Sequence, residues 1–358
     1  MFNFFGRTLL RWLEQMGEEE TDRPPPPQVI FASSEPIASP GEETMEGGGF
    51  VFPRVQRAAM GSLFEVYLAG TDREALLGAA NEALDEIERL DRQLSHYRND
   101  SDIARLNAHA AQQWVRLEPR LYQLLKRCTE LSVATEGAFD ITAGRLVKAW
   151  GFHYGTGRIP PPDEIAEILQ GIGAHRILFD DDDHLVYFTS PQVEINLGAI
   201  GKGYALDEAA EILRFYGVQS AVLHGGQSTI YALGAPPDAE GWEFAIKDPY
   251  DKETVLQRVL LRDEALSTSG SYEQFFEANG VRYSHLLDPR TGRPAQGMLS
   301  ISVVAPSAAE SDALSTACFI QGRTWTEAYC RAHPELRVLM MVEAEEGEQI
   351  VSRVGFDS

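Results

Sequence analysis

Apolar and polar residues alternate from Phe52 to Leu68 on either side of Met60-Gly61, the period of two that predicts a pair of half-buried strands joined by a turn. Between 72 and 94 the spacing changes. Leu76, Ala80, Leu84, Ile87, Leu90 and Leu94 recur every three or four positions and predict an amphipathic helix. Leu121 to Ala134 and Pro162 to Gln170 predict two more helices. Leu185-Val186-Tyr187-Phe188 predicts a strand, and the run Asp180 to Asp183 before it lacks the interleaved glycine and distant glutamate of an EF-hand, which favours a solvated turn over a calcium loop. A helix is expected over 203–216, a strand from Ser220 to Leu223, a turn at Gly225-Gly226, and strand-like segments near 228–234, 242–247, 256–261 and 300–305. A last helix is expected to start near Ser311, with Ser311 and Asp312 in capping positions. Strands and helices do not alternate strictly, so the expected class is α+β.

Residues 17–50 break both periods. Glu18-Glu19-Glu20, the prolines from 24 to 27 and Gly47-Gly48-Gly49 cannot build a core, so residues 1–50 are expected as a weakly ordered tail, 51–345 as the folded domain and 346–358 as a C-terminal extension. Near the start, Arg11 and Glu14 interrupt the apolar stretch before it reaches signal-peptide length, and no nearby cysteine can take a lipid. The segment reads as amphipathic, which favours the cytoplasm, with the cell envelope as the alternative. No run of 18 apolar residues is present to span a membrane.

Charge narrows the partners. Lys and Arg number 31 against 54 Asp and Glu, a formal charge of −23, which disfavours nucleic acid and anionic membrane. An anionic nucleotide could bind only where a pocket supplies local positive charge. Cys128, Cys318 and Cys330 form no CxxC pairing, which argues against a disulfide framework or a zinc site, and Cys318 reads as a buried apolar residue.

Four segments can carry chemistry. Asn196-Leu197-Gly198-Ala199-Ile200-Gly201-Lys202-Gly203 places three glycines and a lysine between a strand and a helix, where backbone N–H groups and Lys202 can meet a phosphate, although the pattern is neither a Walker loop nor GxGxxG and also suits a tight turn. Asp312 and Thr316, four apart, share a helix face and can hold a hard cation such as Mg²⁺ through oxygen, or simply open a helix. His285 precedes the turn Asp288-Pro289-Arg290-Thr291-Gly292 and can contact a ligand or carry a proton, or be structural. Glu136 to Thr142 frames Phe139 with small residues and Asp140; it can clamp a flat heterocycle by stacking, or Phe139 can be core. Tyr97 offers another exposed aromatic, and Ser267-Thr268-Ser269-Gly270 is expected as a small polar loop fit for phosphate oxygens.

The order of these segments carries more than any one of them. Met60-Gly61-Ser62, Ser95-x-Tyr97 with Asp100-Ser101, Gly137 to Thr142, Trp150-Gly151-Phe152, Leu197-Gly198-x-Ile200-x-Lys202-Gly203-Tyr204, Gly225-Gly226, Thr268-Ser269-Gly270, His285-x-x-Asp288-Pro289-x-Thr291-Gly292-x-Pro294 and Asp312-Ala313-Leu314-x-Thr316-Ala317 follow one another over roughly 55–325. This series resembles the FAD:protein FMN transferase family, the ApbE-like flavin transferases. The resemblance implies an α+β fold with a flavin pocket between two lobes. It implies an FAD site lined by Met60, Tyr97, Ala138, Phe139, Asp140, Asn196, Lys202 and Leu286, with Ser269 nearby, and Mg²⁺ held by the Ala199 carbonyl, Asp312 and Thr316. In that family a Thr or Ser hydroxyl of an acceptor protein attacks the FMN phosphorus and AMP leaves. Asp312 and His285 are then the catalytic candidates, His285 steering or accepting the acceptor proton, in a monomer or homodimer.

Three departures bear on this expectation. Asn196 stands where the family usually carries Asp, Gln227 follows Gly225-Gly226 where it usually carries Asp, and no lipoprotein cysteine is present. An FAD pyrophosphatase yielding FMN and AMP, and a non-catalytic flavin-binding protein, are the alternative functions.

Overall fold

The computed structural model describes residues 49–152, 156–226, 228–251, 253–343 and 349–356, with the backbone of 30–31. The expected N-terminal tail, Gln227 and the start of the expected C-terminal extension therefore lie outside, or largely outside, the described residues.

Strands β1 (Arg54–Ala59) and β2 (Ser62–Leu68) form the expected hairpin. Its two turn residues, Met60 and Gly61, have φ of 50° and 69°, the left-handed pair that matches the twist of a two-residue hairpin. Met60 holds this conformation with its side chain against the main core. Helix α1 (Arg73–Leu94) follows, capped by Asp72, whose carboxylate accepts from Ala75 N–H at 3.0 Å. All six apolar positions read from the sequence are buried on its inner face.

The next elements are α2 (Asp102–His109), α3 (Pro119–Ala134), α4 (Gly144–Ala149), α5 (Pro162–Leu169), β3 (Ile177–Asp180), β4 (Leu185–Phe188) and α6 (Gly201–Phe215). The remainder comprises β5 (Ser220–Gly225), β6 (Thr229–Gly234), β7 (Trp242–Lys247), β8 (Val255–Leu261), β9 (Glu264–Gly270), β10 (Phe275–Ala278), β11 (Val281–Ser284), β12 (Met298–Ala305), α7 (Ala308–Gln321), α8 (Arg323–Ala332), β13 (Arg337–Glu343) and β14 (Gln349–Val354).

Eight strands form one antiparallel sheet in the order β14-β13-β12-β9-β6-β5-β2-β1. Its central strands are buried on both faces, and alternate residues face different layers. Ala221 and Leu223 of β5, with Tyr231 and Leu233 of β6, join the core shared with α1 and α6. Val222, Ile230 and Ala232 point the other way, onto β7 and β8. On the same side as α6, β12 and β13 pack against α7 and α8 through Ile301, Val303, Leu314, Phe319 and Met340. A smaller core around Leu146, Trp150, Ile165 and Leu287 is tied to the rest by Trp150 Nε1, which donates to the Gly292 carbonyl at 2.8 Å. The three cysteines are free and buried, and no described helix is long and apolar enough to cross a membrane.

Three expectations are corrected. Helix α7 begins at Ala308, not near Ser311, because Ser307 is the cap and accepts from Glu310 N–H at 3.2 Å; Ser307-x-x-Glu310 is the signature of a capping box one turn earlier. Ser311 and Asp312 are thus buried inside the helix. Ser267 to Gly270 is no loop: it lies in β9, between β6 and β12, where the small hydroxyls fit a strand covered on both faces. Residues 349–354, expected in a C-terminal extension, supply the edge strand β14, whose Ile350, Val351 and Val354 are β-branched residues suited to a pleated edge.

Candidate functional site

Antiparallel register brings several turns to one end of the main sheet. The β1–β2 turn with Met60, the β5–β6 turn at Gly226, the end of β9 with Ser269 and the start of β12 all lie there. Helices α6 and α7 meet over the same end.

Their crossing is tight because Gly203 has no side chain: a Cβ there would lie 2.1 Å from the Ala308 carbonyl oxygen. Asp207, one turn along α6, caps α7 by accepting from Ala308 N–H at 2.8 Å, Ala309 N–H at 2.9 Å and the Ser307 hydroxyl at 2.8 Å. The glycine therefore serves helix packing rather than approach of a ligand. This packing delivers Asp312 to the start of α6, where its Oδ2 accepts from Gly203 N–H at 3.1 Å and its Oδ1 lies 3.5 Å from the Thr229 hydroxyl. Asp312 is 5% exposed, and no Lys, Arg or His among the described residues pairs with it. Thr316 lies one turn further on, half-buried, and its neighbour Ser315 bonds to Ser269 at 2.8 Å. Ala199 lies on the turn leading into α6.

Asp312 and Thr316, one turn apart on α7, carry oxygen donors of the kind a hard cation prefers, and Ala199 lies on the turn into α6, whose Gly203 N–H meets Asp312. A buried carboxylate without a cationic partner fits that group, because an uncompensated buried charge is otherwise costly. No cluster of three or more His, Cys, Asp or Glu side chains able to hold a metal occurs among the described residues. The run Asp180 to Asp183 behaves as the expected turn: Asp180 accepts from Asp182 N–H at 3.1 Å, and Asp181 accepts from the Tyr122 hydroxyl at 2.7 Å and Lys126 at 2.6 Å.

Lys202 is half-buried and makes no ion pair among the described residues. Its ammonium lies within electrostatic reach of Glu273 and His285. His285 immediately follows β11, and the Gln274 carbonyl receives both its backbone N–H and its ring Nδ1, each at 3.0 Å. A carbonyl only accepts, so Nδ1 carries the hydrogen and Nε2 keeps its lone pair. Burial, and then the Lys202 charge, push the imidazole down to about 4, so it is neutral at physiological pH. Glu273 moves the other way, to about 7, chiefly through burial, with Lys202 opposing the rise and Asp312 adding to it. No spacing rule ties Glu273 to Lys202 or Asp312, and reading the sequence did not single it out.

The residues expected to contact flavin are placed unequally. Tyr97 is 51% exposed, and its ring lies 3.9 Å from that of His96, which is bonded to Asn196. Ala138 and Phe139 are 1% and 2% exposed. Phe139 is core, its ring is not open to stacking, and at Ala138 and Phe139 only the backbone can meet a ligand. The Asp140 carboxylate accepts from the Ser132 hydroxyl at 3.0 Å, Thr142 N–H at 2.8 Å, the Thr142 hydroxyl at 2.6 Å and Ala174 N–H at 3.0 Å. Its lone pairs are committed to fastening two loops. Leu286 is buried beside β12 and α7, and Met60 is half-buried at the hairpin tip.

Similarity to known proteins bears on the fold and the family. The chain is 34% identical over 280 residues to the FAD:protein FMN transferase of Treponema pallidum, covering 72% of this chain and 76% of that protein. Its fold matches the crystal structure of the ApbE protein from Thermotoga maritima with a TM-score of 0.77 at 31% identity, over 84% of this chain and 97% of that one. It also matches the apo flavinyl transferase ApbE of Pseudomonas stutzeri with a TM-score of 0.76 at 29% identity, over 87% and 96%. The sequence profile of the ApbE family covers residues 60–340, and with the α6–α7 crossing and the ordered motifs in place, this chain belongs to the ApbE family.

Proposed function

We propose that the protein transfers the FMN half of FAD to a Thr or Ser hydroxyl of an acceptor flavoprotein, releasing AMP, with Mg²⁺ bound at Ala199, Asp312 and Thr316. The observation that carries this reading is the α6–α7 crossing. There Lys202 and the buried Asp312, neither of them in an ion pair with any described residue, share one polar end of an otherwise acidic molecule. A dinucleotide pyrophosphate with a bound divalent ion complements both groups, and the flavin would lie beside Tyr97 and Asn196, in the pocket between two lobes that the family resemblance implies.

Phosphoryl transfer of this kind relies on positioning and on neutralising charge. Mg²⁺, when bound, stabilises the negative charge that gathers on the leaving AMP. Lys202 holds pyrophosphate oxygens as a point charge on a chain that otherwise repels them. Asp312 is kept in place by Gly203 N–H, so it is oriented before any ligand arrives. His285, neutral and with Nδ1 pinned, presents Nε2 as an acceptor for a substrate hydroxyl. As the acceptor oxygen bonds to the FMN phosphorus, the bond from that phosphorus to the bridging oxygen breaks and AMP departs.

Incubation with FAD, Mg²⁺ and a candidate acceptor flavoprotein tests the reading. Covalent FMN on the acceptor with stoichiometric AMP supports it. Free FMN and AMP formed equally fast without acceptor would make the protein a pyrophosphatase, and tight flavin uptake with no AMP would make it a binding protein.

A further inference from the structure

We propose that Thr229 is a positioning residue for the Asp312 carboxylate, and that it thereby sets how tightly the site holds a divalent cation. This assignment rests on the Mg²⁺-dependent reading above and adds to it a residue that acts through Asp312.

Thr229 opens β6, and the register of that strand fixes where its side chain lies. It stands opposite Ser267 of β9, and in the adjoining pair Thr268 N–H donates to the Ser228 carbonyl at 2.8 Å. Antiparallel pairs alternate between hydrogen-bonded and open ones, so Thr229 and Ser267 form an open pair, the kind that brings side chains closest. Tyr231 and Leu233, on the same face of β6 by the strand period, point into the core shared with α6. Thr229 therefore points toward the helices, and Asp312 of α7 meets it there.

Thr229 is fully buried, and the one hydrogen bond its hydroxyl makes among the described residues runs to Asp312 Oδ1, at 3.5 Å. The contact is long, but a buried hydroxyl seldom goes without a partner and this one has no other. A carboxylate oxygen only accepts, so Thr229 donates. Gly203 N–H holds the other oxygen, Oδ2, at 3.1 Å. The carboxylate is thus tied at both oxygens, from the start of α6 and from the start of β6. One donor alone would leave rotation about the terminal bond of the side chain, which is broad; two donors from separate segments fix its plane. Threonine suits this duty because its branched Cβ restricts χ1. Partners that orient a metal-binding group from behind commonly account for about 10–100-fold in metal affinity.

The rival reading is that Thr229 only fills space in a polar layer beneath α7. Ser267 provides the internal comparison. It is equally buried, and its hydroxyl has no hydrogen-bond partner among the described residues. The two hydroxyls face the helices from adjacent strands, and of the pair only Thr229 is bonded to Asp312. Removing an unpaired buried hydroxyl breaks no hydrogen bond. Ser267 therefore separates the effect of general polarity near the carboxylate from that of the specific contact.

The test compares Thr229→Val, Thr229→Ser and Ser267→Ala with the unaltered protein. Mg²⁺ titrations are read in two ways: by the initial rate of AMP release from FAD with acceptor present, and by thermal melts across a Mg²⁺ series in FAD. Near-ultraviolet circular dichroism reports folding. Thr229→Val keeps the shape and loses the hydroxyl, so its half-saturating Mg²⁺ concentration should rise by about 10–100-fold in both readouts. A purely structural role would lower the melting temperature without moving that midpoint. Thr229→Ser, which restores the hydroxyl, should titrate within about threefold of the parent, and Ser267→Ala should match it. A Thr229→Val midpoint within about twofold of the parent would overturn the assignment, as would an equal shift in Ser267→Ala. Should Thr229→Val misfold, Thr229→Ser decides: a folded variant within about threefold supports the hydroxyl, and a larger shift counts against it. A Mg²⁺-dependent parent matched by Thr229→Val removes only this inference, whereas a parent whose turnover and melting ignore Mg²⁺ removes the metal site itself.

Discussion

Asn196 donates from Nδ2 to Nε2 of His96 at 3.2 Å, joining the turn before α6 to the segment after α1. The amide cannot face the other way, because its Oδ1 accepts from Gly198 N–H at 2.8 Å. Nε2 of His96 must therefore be the lone-pair nitrogen, with the hydrogen on Nδ1. The Asn196 amide is thus engaged on both sides. Asn196→Leu should lose both bonds and roughly 1–3 kcal/mol of stability, with weaker FAD uptake. Asn196→Asp keeps the bond from Gly198 and faces Nε2 with a carboxylate, to which His96 can donate as the Nε2–H tautomer or, with added charge attraction, as the protonated ring. FAD affinity of that variant should rise as pH falls through the histidine range, roughly 8 to 5, while the parent shows no such change from this pair. Fluorescence titration across that range checks it, and a flat profile for Asn196→Asp would show that His96 does not couple to the ligand.

Asp312 has a structural and a proposed metal-binding duty, and two variants separate them. Asp312→Asn can still accept from Gly203 N–H and should melt close to the parent, within roughly 1 kcal/mol. Both it and Asp312→Ala should lose turnover by on the order of a hundredfold or more at saturating Mg²⁺. Magnesium titration of the initial rate, paired with thermal melts, provides both readouts. Full activity in Asp312→Asn would remove the metal site.

Gly203→Ala places a methyl group against the Ala308 carbonyl, which is helix backbone and cannot swing aside. The α6–α7 crossing must widen, at a cost of roughly 1–3 kcal/mol or more, and Asp312 must leave the N–H that orients it. Calorimetric melting should show the stability loss, and turnover should fall further than stability alone accounts for.

Asp140→Ala tests whether this acid serves the fold or the ligand. Removing the carboxylate strands the Ser132 and Thr142 hydroxyls and two backbone N–H groups, a loss on the order of 3 kcal/mol or more. The expected outcome is a large drop in denaturant midpoint. A variant that folds as the parent does but binds FAD poorly would instead make Asp140 a ligand contact.

His224 should shape the acid limb of stability. It is buried on β5 with its ring edge-to-face on Tyr67, and burial pushes it down to about 4 from 6.5. The unfolded chain takes up this proton near 6.5 and the folded chain only near 4, so the unfolded state binds more protons between these values and stability is lost as pH falls through that window. His224→Phe keeps the ring contact and abolishes the titration. Relative to the parent it should gain up to roughly 3 kcal/mol between pH 7 and pH 4, measured by urea unfolding. An equal acid loss in both proteins would place the effect elsewhere, His285 being the next candidate because it is lowered in the same way.

Much of the fold was legible where a local period was present. The buried face of α1 follows from the 3.6-residue repeat, the β1–β2 hairpin from alternation around Met60-Gly61, and β4 from four consecutive β-formers. Reading failed where burial on both faces erased alternation. Ser267 to Gly270 resembles a loop by composition, yet it is an inner strand because its neighbours supply the apolar cover. The start of α7 is set by the Ser307–Glu310 box, one turn before Ser311, and two capping serines so close together look alike in sequence.

The ordered motifs along the chain pointed to the family, and the resemblance they carry made Lys202, Asp312, Thr316 and His285 candidates for one site. What surrounds each of them depends on folding. Gly203 meets Asp312 across more than a hundred residues, Phe139 turns into the core, Asp140 spends its oxygens on its own loops, and Glu273 comes within electrostatic reach of Lys202. A local period is set by backbone geometry and can be read from neighbouring residues. Which polar atoms end up with partners depends on how distant segments close on one another, and only the packed chain determines that.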